Sequence, residues 1–214
     1  MISIYSISAL ILAYLLGSIP TAVWIGQAFF GVDVREYGSG NAGATNTFRV
    51  LGKKAGIPVM LIDILKGWAA TNVAYFIGVS ITGAYDSPNY MNYALALGIA
   101  AVMGHLFPIF AGFRGGKGIA TLFGMILAIN LPAALFCVGI FLLVLFVTRY
   151  VSLGSIMAGF AYPIAVAIIF PISRPVIIYG MCMCLLILVT HQKNIERLLK
   201  GTESKVNLFK KKTA

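Results

Sequence analysis

Two stretches of this sequence combine glycine with hydroxyls and cations at spacings suited to anion binding. The first, GSGNAGATNTFR at residues 38–49, carries Gly38, Gly40 and Gly43 among Ser39, Asn41, Thr45, Asn46 and Thr47, and it closes on Arg49. Glycine lets backbone N–H groups approach a ligand and form anion-binding nests. Hydroxyls at Ser39, Thr45 and Thr47 can donate further hydrogen bonds, and Arg49 offers a planar fork to phosphate oxygens. The competing reading is a flexible connection, since Gly, Asn and Ser dominate turns. Against it, the polar interval runs from 31 to 54, well beyond the usual connection of about four to six residues.

The second stretch is GHLFPIFAGFRGGKGIAT, residues 104–121, where Gly112, Gly115, Gly116 and Gly118 surround Arg114 and Lys117 and a helix is predicted to follow at once. Amides at that helix start, its positive dipole end and Lys117 would converge on an anion. A nucleotide-binding P-loop requires four residues between its first Gly and Gly-Lys, then Ser or Thr. Here three residues separate Gly112 from Gly116, and Gly118 follows Lys117. The expectation is therefore phosphate without ATP; a glycine-rich turn carrying topogenic charges is the alternative.

Two further polar segments accompany these. In THQKNIERLLKG, residues 190–201, His191 and Asn194 are three apart and share a helix face. A lone His at a membrane edge reads equally well as structural. In RYVSLGSI, residues 149–156, Arg149 and Tyr150 suit a helix end at the interface, while Ser152 or Ser155 could reach a site. Asp63 and Lys66, three apart within an apolar run, read first as an ion pair facing the bundle. His105 and Pro108 are placed to shape the floor of the site.

The elements that must hold these residues are membrane helices. The chain has 214 residues, is 60% hydrophobic and 10% charged, and has a mean hydropathy of +0.94; soluble domains carry about 25% charged residues. Apolar runs of roughly 20 residues are long enough to cross a bilayer. The fold class expected is an all-α integral membrane protein, a single domain over 1–214 with a basic tail from about 197. Helices are predicted at 2–28, 54–79, 90–110, 118–131, 132–148, 152–171 and 174–197. The fourth and fifth read as a hairpin turned at Asn130 and Pro132, with tilt or partial insertion left open. The first run is too long, and too poor in cleavage signals, for a removable signal peptide. Cys137, Cys182 and Cys184 all fall in apolar runs and read as small core hydrophobes.

Charge sets the orientation. With an external N-terminus and seven crossings, the inside segments hold Arg35, Arg49, Lys53, Lys54, Arg114, Lys117, Arg149, Lys193, Arg197, Lys200, Lys205, Lys210, Lys211 and Lys212. Those are 14 of the 16 basic residues; Arg174 is left outside, and Lys66 lies within a helix. Lys/Arg excess marks cytoplasmic loops, so the C-terminus and all four polar segments are expected on the cytoplasmic face. Topology and attraction to anionic lipid account for the net charge of +10, and nucleic acid is an unnecessary partner. The tail after Glu196 reads as a solvated or lipid-surface segment. A transporter should show internal repeats and midplane polar groups reachable from both sides, whereas no convincing repeat is visible and the polar clusters gather on one side. A magnesium-dependent headgroup transferase needs clustered carboxylates, whereas the six acidic residues are spread singly. No metal or other cofactor is expected.

Taken together, these segments resemble those of a known family, the bacterial acylphosphate:glycerol-3-phosphate acyltransferases of the PlsY type. GSGNAGATN with Arg49 and LGKKAG resembles its first motif, GHLFPIFAGFRGGKGIAT its second and HQKNIERLLKG its third, while DILKG and RYVSLGSI are similar to its intervening segments. The resemblance covers nearly the whole chain and keeps the motif order. It implies acyl transfer from acyl phosphate to the 1-hydroxyl of glycerol 3-phosphate, giving lysophosphatidic acid and phosphate at the bacterial inner membrane. A soluble phosphate acyltransferase of the PlsX type would supply the donor. It also implies Ser39, Arg49, Lys117, Ser155, His191 and Asn194 as catalytic candidates, with Gly112, Gly115, Gly116 and Gly118 as the glycerol-3-phosphate loop. Gly40, Asn41, Thr45 and Asn46 are expected to line the phosphate site beside Ser39. His191 and Glu196 mimic the His-acid spacing of another glycerolipid acyltransferase class. Five helical positions nevertheless turn by about 500°, leaving the two about 140° apart. No dyad is expected, and a phosphate oxygen of the donor is favoured as proton acceptor over His191.

Overall fold

The computed structural model describes residues 4–82 and 88–206. The basic residues Lys210, Lys211 and Lys212, and the expected helix start at residue 2, lie outside that range. The regular structure of the described residues is helical, and it divides into two compact units, Met1–Leu131 and Pro132–Ala214.

In the first unit, the helix expected over 2–28 is two helices, α1 (Ile4–Gly17) and α2 (Thr21–Phe30), bent by 41°. Pro20 supplies no N–H at the break, so the ladder of main-chain bonds stops there. The polar interval is not merely a connection. A 3-10 turn at Val34–Glu36 is followed by a helix, α3 (Ala44–Leu51), which buries Asn46 and Thr47. Then come α4 (Lys53–Thr82), α5 (Pro88–Leu106), a 3-10 turn at Ile109–Ala111 and α6 (Ile119–Ile129). Helix α4 packs on α1, α5 and α6, and α1 packs on α5. Small residues allow these approaches. A side chain at Gly17 would strike the Ala101 carbonyl, one at Gly67 the Thr121 carbonyl, and one at Gly124 the Ile64 carbonyl. Between helices lies an alanine-rich core of Ala9, Ala13, Ala70, Ala74, Ala94, Leu97 and Ala101. Without a hydrophobic drive between helices in lipid, such close packing supplies the cohesion.

The second unit contains α7 (Leu131–Thr148), α8 (Val151–Ile164), α9 (Arg174–Thr190) and α10 (Gln192–Leu199). Pro163 stands in the last turn of α8, which runs on into a π turn at Ala165–Ile169. The helix expected over 174–197 is bent by 65° where α9 meets α10. Glycines again sit at the contacts: Gly154 against Phe141, Gly159 against Ile187, and Gly180 against Tyr162 and Pro163. Cys137 and Cys184 are buried as expected, whereas Cys182 is exposed because it lies on the outer side of α9.

Among the described residues, four helical stretches are long and apolar enough to span a membrane, or up to six if each bent pair is one span. The expected crossing over 118–131 is the eleven-residue α6; at 1.5 Å per residue it covers about 16 Å, against roughly 30 Å of hydrocarbon.

Candidate functional site

The first unit brings the two glycine-rich stretches together. The Ala42 N–H donates to the Gly115 carbonyl at 3.4 Å, and Arg35 Nη1 donates to the Ala111 carbonyl at 2.8 Å. Residues 33–43 and 111–116 are therefore on one side of this unit, as their charges suggested. Arg35 is itself fixed by Asp33, whose Oδ2 accepts from Nη2 at 2.7 Å. The hydrogen bond from Arg35 holds the Asp33 carboxyl below the usual carboxylate range, against a smaller opposing effect of burial.

Asn46 organises the first stretch. Its Oδ1 accepts from the Ser39 amide at 2.8 Å, and its Nδ2 donates to the carbonyls of Val34 (2.8 Å) and Tyr37 (3.1 Å). The side chain is 2% exposed, so Asn46 acts here through the loop it holds. Ser39, Gly40, Thr45 and Arg49 are exposed, and Asn41 is half-buried. Arg49 lies in the last turn of α3, and its guanidinium has no hydrogen-bond or ion-pair partner among the described residues.

The second stretch wraps the end of α5. Gly112 (φ 62°) and Gly118 (φ 80°) adopt the left-handed backbone that favours glycine, and Phe113 between them shares it at φ 60°. Gly118 then caps α6, and Lys117, half-buried, stands just before that helix start. The Gly116 N–H donates to the His105 carbonyl at 3.1 Å.

Under this loop the expected Asp63–Lys66 pair is present, with Nζ to Oδ1 at 2.8 Å. The same Oδ1 accepts from the Thr21 hydroxyl at 3.1 Å and stands 3.6 Å from His105 Nδ1; Lys66 Nζ also donates to the Ile19 carbonyl at 2.9 Å. A small cavity is lined by Thr21, Ala42, Asp63, Lys66, His105 and Gly115.

In the second unit, the polar side chains gather on a residue the sequence reading missed. Glu203, 8% exposed, lies in the tail expected to be solvated. Its Oε1 accepts from the Ser152 hydroxyl (2.8 Å) and Asn194 Nδ2 (2.6 Å), and its Oε2 from Arg197 Nε (2.6 Å). Burial opposes ionisation of Glu203, but the bonds from Arg197, Asn194 and Ser152 outweigh it and hold the carboxyl below the usual range. The tail is pinned again where the Val206 N–H donates to the Arg149 carbonyl at 2.9 Å, and Lys205 Nζ lies 5.3 Å from the centre of the Tyr150 ring. Arg149 turns that carbonyl by adopting φ 64°. The signal for Glu203 in the sequence was thin: one carboxylate shortly after a glycine, in a basic stretch.

His191 caps the junction of α9 and α10 and is 2% exposed. Its Nδ1 lies 2.9 Å from the Ile187 carbonyl. A carbonyl only accepts, so Nδ1 carries the proton in this contact, and the Thr190 hydroxyl lies 3.2 Å from the same nitrogen. The Ser155 hydroxyl donates to the Val151 carbonyl of its own helix at 3.0 Å, leaving its oxygen to accept. Glu196 pairs with Lys200 at 2.6 Å on the surface, away from any dyad with His191.

Comparison with known proteins gives one consistent result. Residues 7–201 match the family model described as glycerol-3-phosphate acyltransferase. A glycerol-3-phosphate acyltransferase of Chlorobaculum tepidum is 42% identical over 96% of this chain and 98% of its own. One from Enterococcus faecalis is 44% identical over 92% and 90%. The crystal structure of PlsY (YgiH), an integral membrane glycerol 3-phosphate acyltransferase, in its glycerol 3-phosphate form superposes with a TM-score of 0.83 at 38% identity. That match covers 95% of this chain and 96% of the other. Its lysophosphatidic acid form gives 0.80 at 37% identity, with the same coverage.

Proposed function

The chain belongs to the glycerol-3-phosphate acyltransferase family of integral membrane acyltransferases, and from that premise we propose the donor, the site and the topology of its reaction. The donor is an acyl phosphate and the acceptor is the 1-hydroxyl of glycerol 3-phosphate. The acceptor oxygen forms a bond to the acyl carbon, the bond from that carbon to the phosphate oxygen breaks, and the hydroxyl proton leaves on the released phosphate. The products are 1-acyl-glycerol 3-phosphate and inorganic phosphate.

The observation that carries this reading is the Ala42–Gly115 junction, which joins two glycine-rich segments bearing Ser39, Arg49 and Lys117. Both substrates are phosphorylated, and such a surface suits phosphate. Gly40, Asn41, Thr45, Gly112, Gly115, Gly116 and Gly118 supply amides, hydroxyls and close backbone approach, while Asn46 places Ser39. Arg49 and Lys117 stabilise charge on the leaving phosphate. The acyl phosphate is already activated, so orientation and electrostatics carry most of the rate. Ser155, His191 and Asn194 join the machinery on the strength of the family motifs. His191, its Nδ1 held against the Ile187 carbonyl, positions the acceptor hydroxyl, while the donor's phosphate oxygen takes the proton. A His191→Ala enzyme that binds both substrates normally yet keeps only a trace of turnover, with one imidazole ionisation missing from its residual pH profile, overturns the proton assignment.

We further place the chain in the bacterial inner membrane as one acyltransferase domain over 1–214. It has seven crossings, an external N-terminus and its active site on the cytoplasmic face. The distribution of basic residues supports this arrangement. A soluble phosphate acyltransferase of the PlsX type supplies the donor. Purified protein assayed without metal, with palmitoyl phosphate or palmitoyl-CoA against glycerol 3-phosphate, tests the reaction. Turnover with palmitoyl phosphate is expected, and turnover only with the CoA ester overturns the donor.

A further inference from the structure

Asp63, Lys66 and His105 are 1%, 5% and 6% exposed, and none has a role as a ligand in the reaction above. Burying charge in a membrane span is costly. Replacing a buried ion pair by apolar residues of similar volume is often neutral or stabilising, so stability alone explains little of their presence. What they touch explains more. Asp63 collects Thr21, Lys66 and His105 about one carboxylate oxygen, and Lys66 ties the Ile19 carbonyl to the same point. The bend between α1 and α2, the wall of α4 and the end of α5 therefore share one anchor.

The glycine loop rests directly on that anchor. The His105 carbonyl accepts the Gly116 N–H. The His105 imidazole fills the space where a Gly116 side chain would stand, and a side chain at Gly115 would strike the His105 and Leu106 carbonyls. With no side chain intervening, the position of His105 sets the position of the loop backbone, and Lys117 is the next residue along.

We propose that the Asp63–Lys66–His105 cluster is a positioning device for the glycine loop, fixing Gly116 and Lys117 where they grip the substrate phosphate. This rests on the reading of residues 112–118 as a phosphate cradle. Small displacements of substrate-holding groups cost up to about a hundredfold in rate. Loosening the cluster should therefore weaken substrate handling more than folding.

The test uses full-length purified protein, with KM for glycerol 3-phosphate, KM for palmitoyl phosphate, kcat and Tm measured in each variant. His105→Gln is expected to raise at least one KM by about tenfold while Tm stays near that of the parent. Gly116→Ala is expected to impair the enzyme strongly by striking the imidazole. In a His105→Ala background that added cost should shrink by about threefold or more, since neighbours sharing a contact are non-additive. The Ala42 carbonyl, 3.0 Å from the would-be side chain, keeps the relief partial. Additive costs, or a His105→Gln enzyme with lowered Tm and unchanged KM values, overturn the proposal. Should His105→Ala fail to fold, Asp63→Asn decides: a raised KM supports positioning and unchanged KM values refute it. Lys117→Ala separates the two failures. If it moves neither KM nor kcat, the phosphate cradle is wrong and the positioning proposal falls with it. If it raises a KM that the cluster variants leave alone, only the positioning proposal falls.

Discussion

The two units put their buried polar groups to different uses. In the first, the buried side chains of Asn46, Asp63 and Lys66 spend their bonds on backbone carbonyls, a main-chain amide, the Thr21 hydroxyl and one another. The surface above them is built from glycine backbone, with Ser39 and Arg49 exposed. In the second, side chains from α8 and α10 converge on one internal carboxylate, Glu203. A backbone surface can face a ligand at every amide, but it needs a scaffold beneath to hold its shape. A side-chain network supplies its own shape, but its donors are already partnered. Sensitivity to mutation should therefore appear as lost chemistry at the glycine surface of the first unit and as lost stability at the Glu203 carboxylate of the second.

The sharpest way to break that contrast is to remove the cations of the first unit. Lys117→Ala and Arg49→Ala should each lower kcat/KM for acyl transfer by about a hundredfold to a thousandfold, the usual cost of a preorganised electrostatic group, with little change in Tm. Arg49→Lys should recover part of the rate, because charge returns without the planar fork. A collapse of Tm in these variants would erase the distinction between the units. Next in size, Glu203→Ala should destabilise the protein by about 1–3 kcal/mol, since three donors lose a buried acceptor. Thermal unfolding in detergent reads it, and an unmoved midpoint would show that Glu203 does not organise the second unit.

The acid limb of stability sharpens the same point. The folded carboxyl of Glu203 titrates below its ordinary value of 4.5. Its contribution is therefore complete above pH 4.5 and is lost as pH falls through the lowered value. Glu203→Gln should flatten that limb in a pH series of unfolding midpoints. Smallest is Arg35→Ala, which removes a half-buried pair and the tether to Ala111. It should cost about 0.5–1 kcal/mol of stability, together with a modest rise in substrate KM.

Hydropathy made most of the helices legible, because continuous apolar runs need no knowledge of partners. It missed the bends, which depend on local main-chain geometry at Pro20 and at His191. It also missed α3. The face that α3 buries carries Asn46 and Thr47, so apolar periodicity could not reveal it. The Asp63–Lys66 pair was readable from its spacing of three on one helix, but His105 joins it only through tertiary packing. The meeting of the two glycine segments was foreshadowed by shared charge. Glu203 was illegible because its partner Ser152 is 51 residues away, and a single acid among lysines looks like solvated tail. The separation of His191 from Glu196 followed from helical rotation, and Glu196 is found paired with Lys200 instead.

The break between α1 and α2 also has a temporal side. Ile19 and Thr21 are synthesised well before Lys66 and Asp63, the residues that bind the Ile19 carbonyl and the Thr21 hydroxyl. A ribosome delivering this chain to the bilayer places the N-terminal segment there with those two groups bonded only to each other, the Thr21 amide and hydroxyl both donating to the Ile19 carbonyl. The bonds to Lys66 and Asp63 form only once a later span has been inserted, and order of delivery becomes part of how the final geometry is reached.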